Sequence, residues 1–172
     1  MMGRVLPMVC VLLVPGCFGQ KISVPLEVPL TSANGNVGRV IFRETMKGGL
    51  NIDLKVQALT RGEYAVHIHQ NPVCDAPDFK TAGAHFNPDM KQHGWKNPKG
   101  HHAGDLPENI FVDADGNGQI NVTIHNLNLT AGSAYSVLNH SIVVHEQADD
   151  MKTDPSGNSG NRIACALIQT PR

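Results

Sequence analysis

The stretch that most constrains this chain runs from His85 to Asp105. It reads Gly83-Ala84-His85-Phe86-Asn87-Pro88, then His93-Gly94, then His101-His102-Ala103-Gly104-Asp105-Leu106. Four histidines and a carboxylate stand here among Gly, Pro, Asn and Lys, with neither the alternation of a strand nor the repeat of a helix. Packing does not account for them, and a loop of this length without regular structure is usually either functional or disordered. Imidazole and carboxylate are preferred ligands of Zn²⁺, and four such donors can close a tetrahedral site of the structural kind. The segment therefore reads as a metal loop ordered by its ion.

Further imidazoles flank it. Upstream, Tyr64-Ala65-Val66-His67-Ile68-His69 carries two histidines two residues apart. On an extended strand such residues share a face, so His67 and His69 can grip one ion together. Downstream, Ile142-Val143-Val144 ends in His145. This is more nitrogen than one zinc needs, and the surplus suits a second transition metal, with copper high in the affinity order.

Taken in order, His-x-His, Gly-Ala-His-Phe-Asn-Pro, His-Gly, His-Ala-Gly-Asp-Leu, Val-Val-His-Glu-Gln-Ala-Asp-Asp and Gly-Asn-Ser-Gly-Asn-Arg-Ile-Ala-Cys resemble the copper/zinc superoxide dismutase family, from Val24 to Gln169. The resemblance implies an all-β fold, an eight-stranded antiparallel Greek-key barrel or sandwich with long metal-binding loops. It implies one copper and one zinc per subunit. His67, His69, His85 and His145 would bind copper, and His85, His93, His102 and Asp105 would bind zinc. His85, shared, would be an imidazolate stabilised by two cations. Arg162 matches the family's anion-docking arginine. Asp149 matches the carboxylate that bridges a copper-bound and a zinc-bound imidazole, here His67 and His93. Cys74 and Cys165 match the family's disulfide. The implied reaction converts superoxide to O₂ and hydrogen peroxide by alternating reduction and oxidation of copper, with His85 as proton carrier.

Residues 1–20 read as a signal peptide, with Arg4 in the n-region and Leu6 to Pro15 as a short apolar h-region. Residues 21–172 then form the dismutase-like domain. Val14-Pro15-Gly16-Cys17 resembles a bacterial lipobox, which would place a lipid anchor at Cys17; cleavage after Gly19 fits as well. Either route exports the chain to periplasm, cell surface or exterior. An even cysteine count in the mature domain suits that oxidising setting. Sequons at Asn121, Asn128 and Asn139 matter only in a eukaryotic secretory pathway.

With 41% hydrophobic residues and a formal net charge of -1, the chain can build a core and offers no bulk field for nucleic acid. Strand-length runs span Val24 to Leu30, Val37 to Phe42, Leu50 to Val56, Glu63 to His69, Ile110 to Val112, Ile120 to Ile124, Ser141 to Val144 and Ile163 to Ile168, separated by turn signals. Asp113 to Gly118 resembles a calcium loop but lacks the later bidentate Glu, and reads as a hairpin turn. His101, His125 and His140 fall outside the ligand register.

Against the better-known eukaryotic form, Tyr64 stands where many members carry His. The short segment from Met151 to Asn161 and the Asp78-Phe79-Lys80 insertion look bacterial in type. A non-catalytic metal-binding or metal-delivery relative is the alternative function, and a disulfide-stapled adhesion sandwich a more distant one. Monomer and homodimer are both open.

Overall fold

The computed structural model describes residues 24–170. The expected leader, with Cys10 and the lipidation candidate Cys17, lies outside the described residues. Nine strands form among the described residues: β1 (Leu26–Ser32), β2 (Gly35–Glu44), β3 (Leu50–Val56), β4 (Gly62–Tyr64), β5 (Val66–His69), β6 (Ile110–Val112), β7 (Gly118–Ile124), β8 (His140–His145) and β9 (Arg162–Ile168). Among the described residues the helical content is one 3₁₀ turn, Lys80–Ala82.

All neighbours are antiparallel, in the order β4-β6-β7-β3-β2-β1-β9-β8-β5. The two ends of that order, β4 and β5, are consecutive in the chain and separated by Ala65 alone, so the sheet curls into a barrel. This is where eight expected strands become nine. The run from Glu63 to His69 breaks because Ala65 joins neither ladder: its N–H donates to the Gln147 carbonyl at 2.8 Å and its carbonyl accepts from the His145 N–H at 2.9 Å. The crossings from β3 to β4 and from β7 to β8 skip intervening strands, which is the Greek-key pattern expected.

Alternation fills the barrel. Val28 and Leu30 of β1, Val40 and Phe42 of β2, Ile52 and Leu54 of β3, and Ile120 and Ile124 of β7 are all buried in one apolar cluster. Burying a side chain of this size stabilises by roughly 1.5–3 kcal/mol over leaving it exposed. At β5 and β8 both faces are covered. Val66, Ile68, Ile142 and Val144 join the core. On the other face, Val143 packs with Phe79, Ala82 and Cys165 in a second, smaller cluster. Loops from 70–109 and 146–161 cover that outer face, and it carries the histidines.

The Cys74–Cys165 disulfide forms as expected, with Cα atoms 5.7 Å apart across a separation of 91 residues. It pins the loop after β5 to β9. The turn at Asp113 is the expected hairpin connector: its Oδ1 accepts from the N–H groups of Asp115 and Asn117, both at 2.9 Å, so the turn's own amides occupy that oxygen.

Candidate metal centre

β5 and β8 are antiparallel neighbours, with Val66 opposite Val144 and His69 opposite Ser141. His67 and His69 leave β5 on its outer face, and His145 ends β8. The metal loop then runs alongside β5. Phe86 N–H donates to Ile68 O, Ile68 N–H to Gly104 O, and Gly104 N–H to Phe86 O, each at 2.8 Å. Bridges pair His69 with His85 and His67 with Asp105. Gly104 permits this approach, because a Cβ there would run into the Ile68 carbonyl.

One ligand atom from each of His67, His69, His85 and His145 lies within 4.8 Å of the others, and the same holds for His67, His85, His93 and Asp105. His102 completes the second group, its Nδ1 lying 3.2 Å from Asp105 Oδ1 and 3.4 Å from His85 Nδ1. All seven residues expected as ligands are therefore brought together, and all are buried. His67 borders both groups, its ring centroid 4.0 Å from that of His85.

The nitrogens facing away from the groups are held by protein. Asp149 Oδ2 meets His67 Nε2 and Asp149 Oδ1 meets His93 Nε2, both at 2.9 Å, so one carboxylate links these two rings. The Gly83 carbonyl accepts from His69 Nδ1 at 2.9 Å, and Ser159 Oγ lies 3.1 Å from His145 Nδ1. Only His85 turns both nitrogens inward: Nδ1 stands 2.9 Å from Asp105 Oδ1, while Nε2 is buried without a hydrogen-bond partner.

That orphan is not alone. His67 Nδ1 and His93 Nδ1 are also buried without hydrogen bonds; His93 Nδ1 comes within 3.0 Å of Asp105 Oδ1 but not in bonding alignment. A buried polar group left unmade costs about 1–3 kcal/mol, and three converging ones fit metal ions that would satisfy them. Protonation agrees. Burial, reinforced by the facing His67, pushes His85 down to about 3, and burial with His67 and His85 pushes His145 down to about 2. Both imidazoles stay neutral, as metal ligation requires. Burial also opposes charge on His93, but its contacts with Asp105 and Asp149 outweigh it and push it up to about 9. Burial would raise Asp105, yet the His102, His85 and His93 contacts hold it well below the carboxylate range.

Arg162 lies opposite His145 across β8 and β9. Its Nη1 donates to the carbonyls of Phe79 at 2.8 Å and Lys80 at 3.1 Å, and its Nη2 to that of Gly83 at 2.6 Å. These neutral acceptors fix the guanidinium beside the His69–His145 pair without neutralising it. His101 stays out of both groups, stacked on Trp95 at 3.6 Å. His140 meets the Gln70 carbonyl at 2.9 Å and packs its ring on Phe86, away from both groups.

Four contributors received no role from the sequence: Gly157 and Ser159, which stand inside the Gly-Asn-Ser-Gly-Asn-Arg motif, Asp154, and Trp95, whose Nε1–H donates to the Asp105 carbonyl at 2.9 Å. They act through contacts between loops distant in sequence, and spacing carries no signal for those.

An antiparallel barrel with two adjoining N/O donor groups on its outer face defines a dinuclear metalloprotein. The family profile described as "Copper/zinc superoxide dismutase (SODC)" matches residues 36–168. The superoxide dismutase-like protein YojM of Bacillus subtilis is 41% identical over 83% of this chain and 74% of its own length. Superoxide dismutase [Cu-Zn] 2 of Aquifex aeolicus is 40% identical over 92% and 93%. A crystal structure of a SOD-like protein from Bacillus subtilis superposes with a TM-score of 0.79 at 39% identity, covering 84% of this chain and 99% of that one. The chain belongs to the copper/zinc superoxide dismutase family, an oxidoreductase class with copper and zinc as its cofactors.

Proposed function

We propose that this chain dismutates superoxide, taking two superoxide anions and two protons to O₂ and hydrogen peroxide. His67, His69, His85 and His145 would hold copper; His85, His93, His102 and Asp105 would hold zinc. Bound copper supplies a one-electron couple reduced by one superoxide and reoxidised by the next, while redox-inert zinc supplies fixed charge. The observation that carries this reading is His85, which presents opposite nitrogens to the two groups.

The chain's own residues divide the remaining work. His85 Nε2, buried and unpartnered, is the atom placed to take up and release a proton while Nδ1 stays among Asp105 and His102. Arg162 orients the incoming anion, its plane fixed by the three carbonyls of the loop that the disulfide pins. Asp149 fixes one ring in each group at once. Export through the 1–20 leader would bring the enzyme to external superoxide.

The test is dismutation by the purified protein with copper and zinc quantified on the same sample, beside His145→Ala. Wild type should hold one of each metal and be active; the variant should lose copper and activity. The name "superoxide dismutase-like" carried by the Bacillus subtilis relative favours one second reading, a metal-binding or delivery role. Fully metallated protein without turnover would establish that second reading.

A further inference from the structure

Asp154 stands in the short 151–161 segment and belongs to neither donor group. Its Oδ1 accepts from the His93 backbone N–H at 2.6 Å and lies 3.8 Å from His102 Nε2. It thus touches two of the four residues assigned to zinc, from outside their group. His102 Nε2 also faces the side of the ring away from Asp105, where an outer partner belongs if Nδ1 is the ligand.

The contact is part of a docked seam. Lys96 N–H donates to the Met151 carbonyl at 2.8 Å, and Asn97 Nδ2 donates to the Lys152 carbonyl at 3.3 Å. Within this seam Asp154 is the member that reaches a ligand-bearing residue with a charged side chain. Asp154 and Pro155 also line, with His85, His102 and Lys91, an open cavity of about 380 Å³.

We infer that Asp154 is a positioning residue for the zinc half of the centre: by accepting the His93 N–H, it latches the 151–161 segment onto the metal loop and holds His93 and His102 at ligating distance. The inference rests on the zinc assignment above. Loss of such an outer partner costs about 10- to 100-fold in metal affinity. Asp154 acts through an oxygen acceptor, so asparagine, which keeps one, substitutes for it better than alanine.

Holoprotein of wild type, Asp154→Ala and Asp154→Asn would be challenged with a chromogenic zinc chelator, following zinc release and, separately, hydrogen exchange at the His93 amide. Alanine should speed zinc release at least tenfold and expose the His93 amide to exchange, while asparagine stays within about threefold of wild type on both. Zinc release from the alanine variant within twofold of wild type overturns the inference. Equal acceleration in the two variants also overturns it, because the acceptor at 154 would then not be what acts. Should alanine fail to fold, asparagine at wild-type retention and exchange supports the latch, and asparagine releasing zinc tenfold faster refutes it. A wild type that binds no zinc would instead sink the zinc assignment itself.

Discussion

Gly157→Ala tests the Asp149 carboxylate without replacing it. Gly157 has φ +64, and a Cβ there would overlap Asp149 Oδ1 and lie 2.7 Å from His93 Nε2. Asp149 must swing away, and its 2.9 Å contacts with His67 Nε2 and His93 Nε2 go with it. Two buried ring nitrogens lose their partners at about 1–3 kcal/mol each, and a left-handed alanine adds roughly 1–2 kcal/mol. A total near 3 kcal/mol or more lowers Tm by at least about 6 °C for a domain of this size. Gly132→Ala is the control: its φ is +81 and a Cβ there meets nothing within 4 Å, so it isolates the backbone strain. Thermal unfolding of both variants, metal-free and metal-loaded, measures the difference, and metal content after chelator challenge checks the centre. If Gly157→Ala melts with Gly132→Ala and keeps both metals, Asp149 does not hold the two rings in the way argued.

Arg162→Ala should lower the dismutation rate about 10- to 100-fold, the worth of a charged hydrogen bond, with copper and zinc content unchanged by metal analysis. Replacing Cys74 and Cys165 by serine should cost about 4–5 kcal/mol for a loop of this length, read as a lower urea midpoint. The metal-free protein should be most stable near pH 6.5. His85 and His145 fold with pKa values of about 3 and about 2, below the usual 6.5, so their contribution is present above pH 6.5 and lost as pH falls toward 3. His93 folds with a pKa of about 9, so its contribution is present below pH 6.5 and lost as pH rises through 9. Urea midpoints of chelator-treated protein from pH 4 to pH 10 check both limbs, and a flat profile contradicts them.

Much of the barrel was readable because half-buried strands alternate: Leu50, Ile52, Leu54 and Val56 of β3 are buried while Asn51, Asp53 and Lys55 between them are not. The His67–His69 pair was readable for the same reason. The division at Ala65 was not, since Tyr64, Val66 and Ile68 keep one apolar face across Glu63 to His69 and the break is made by hydrogen bonds to residues some eighty positions away. Local spacing likewise locates the metal loop but says nothing of Asp154 or Ser159, whose roles exist only once the 146–161 segment is laid over it.

The single residue between β4 and β5 also has a kinetic meaning. His67 and His69 begin two residues after Ala65, and the Ala65 carbonyl is what holds the His145 amide. Three of the four proposed copper ligands therefore hang on a joint held by two backbone bonds to Ala65 instead of a ladder. Breathing at that joint and escape of copper become the same event, so amide exchange at Ala65 and His145 should serve as a clock for metal loss.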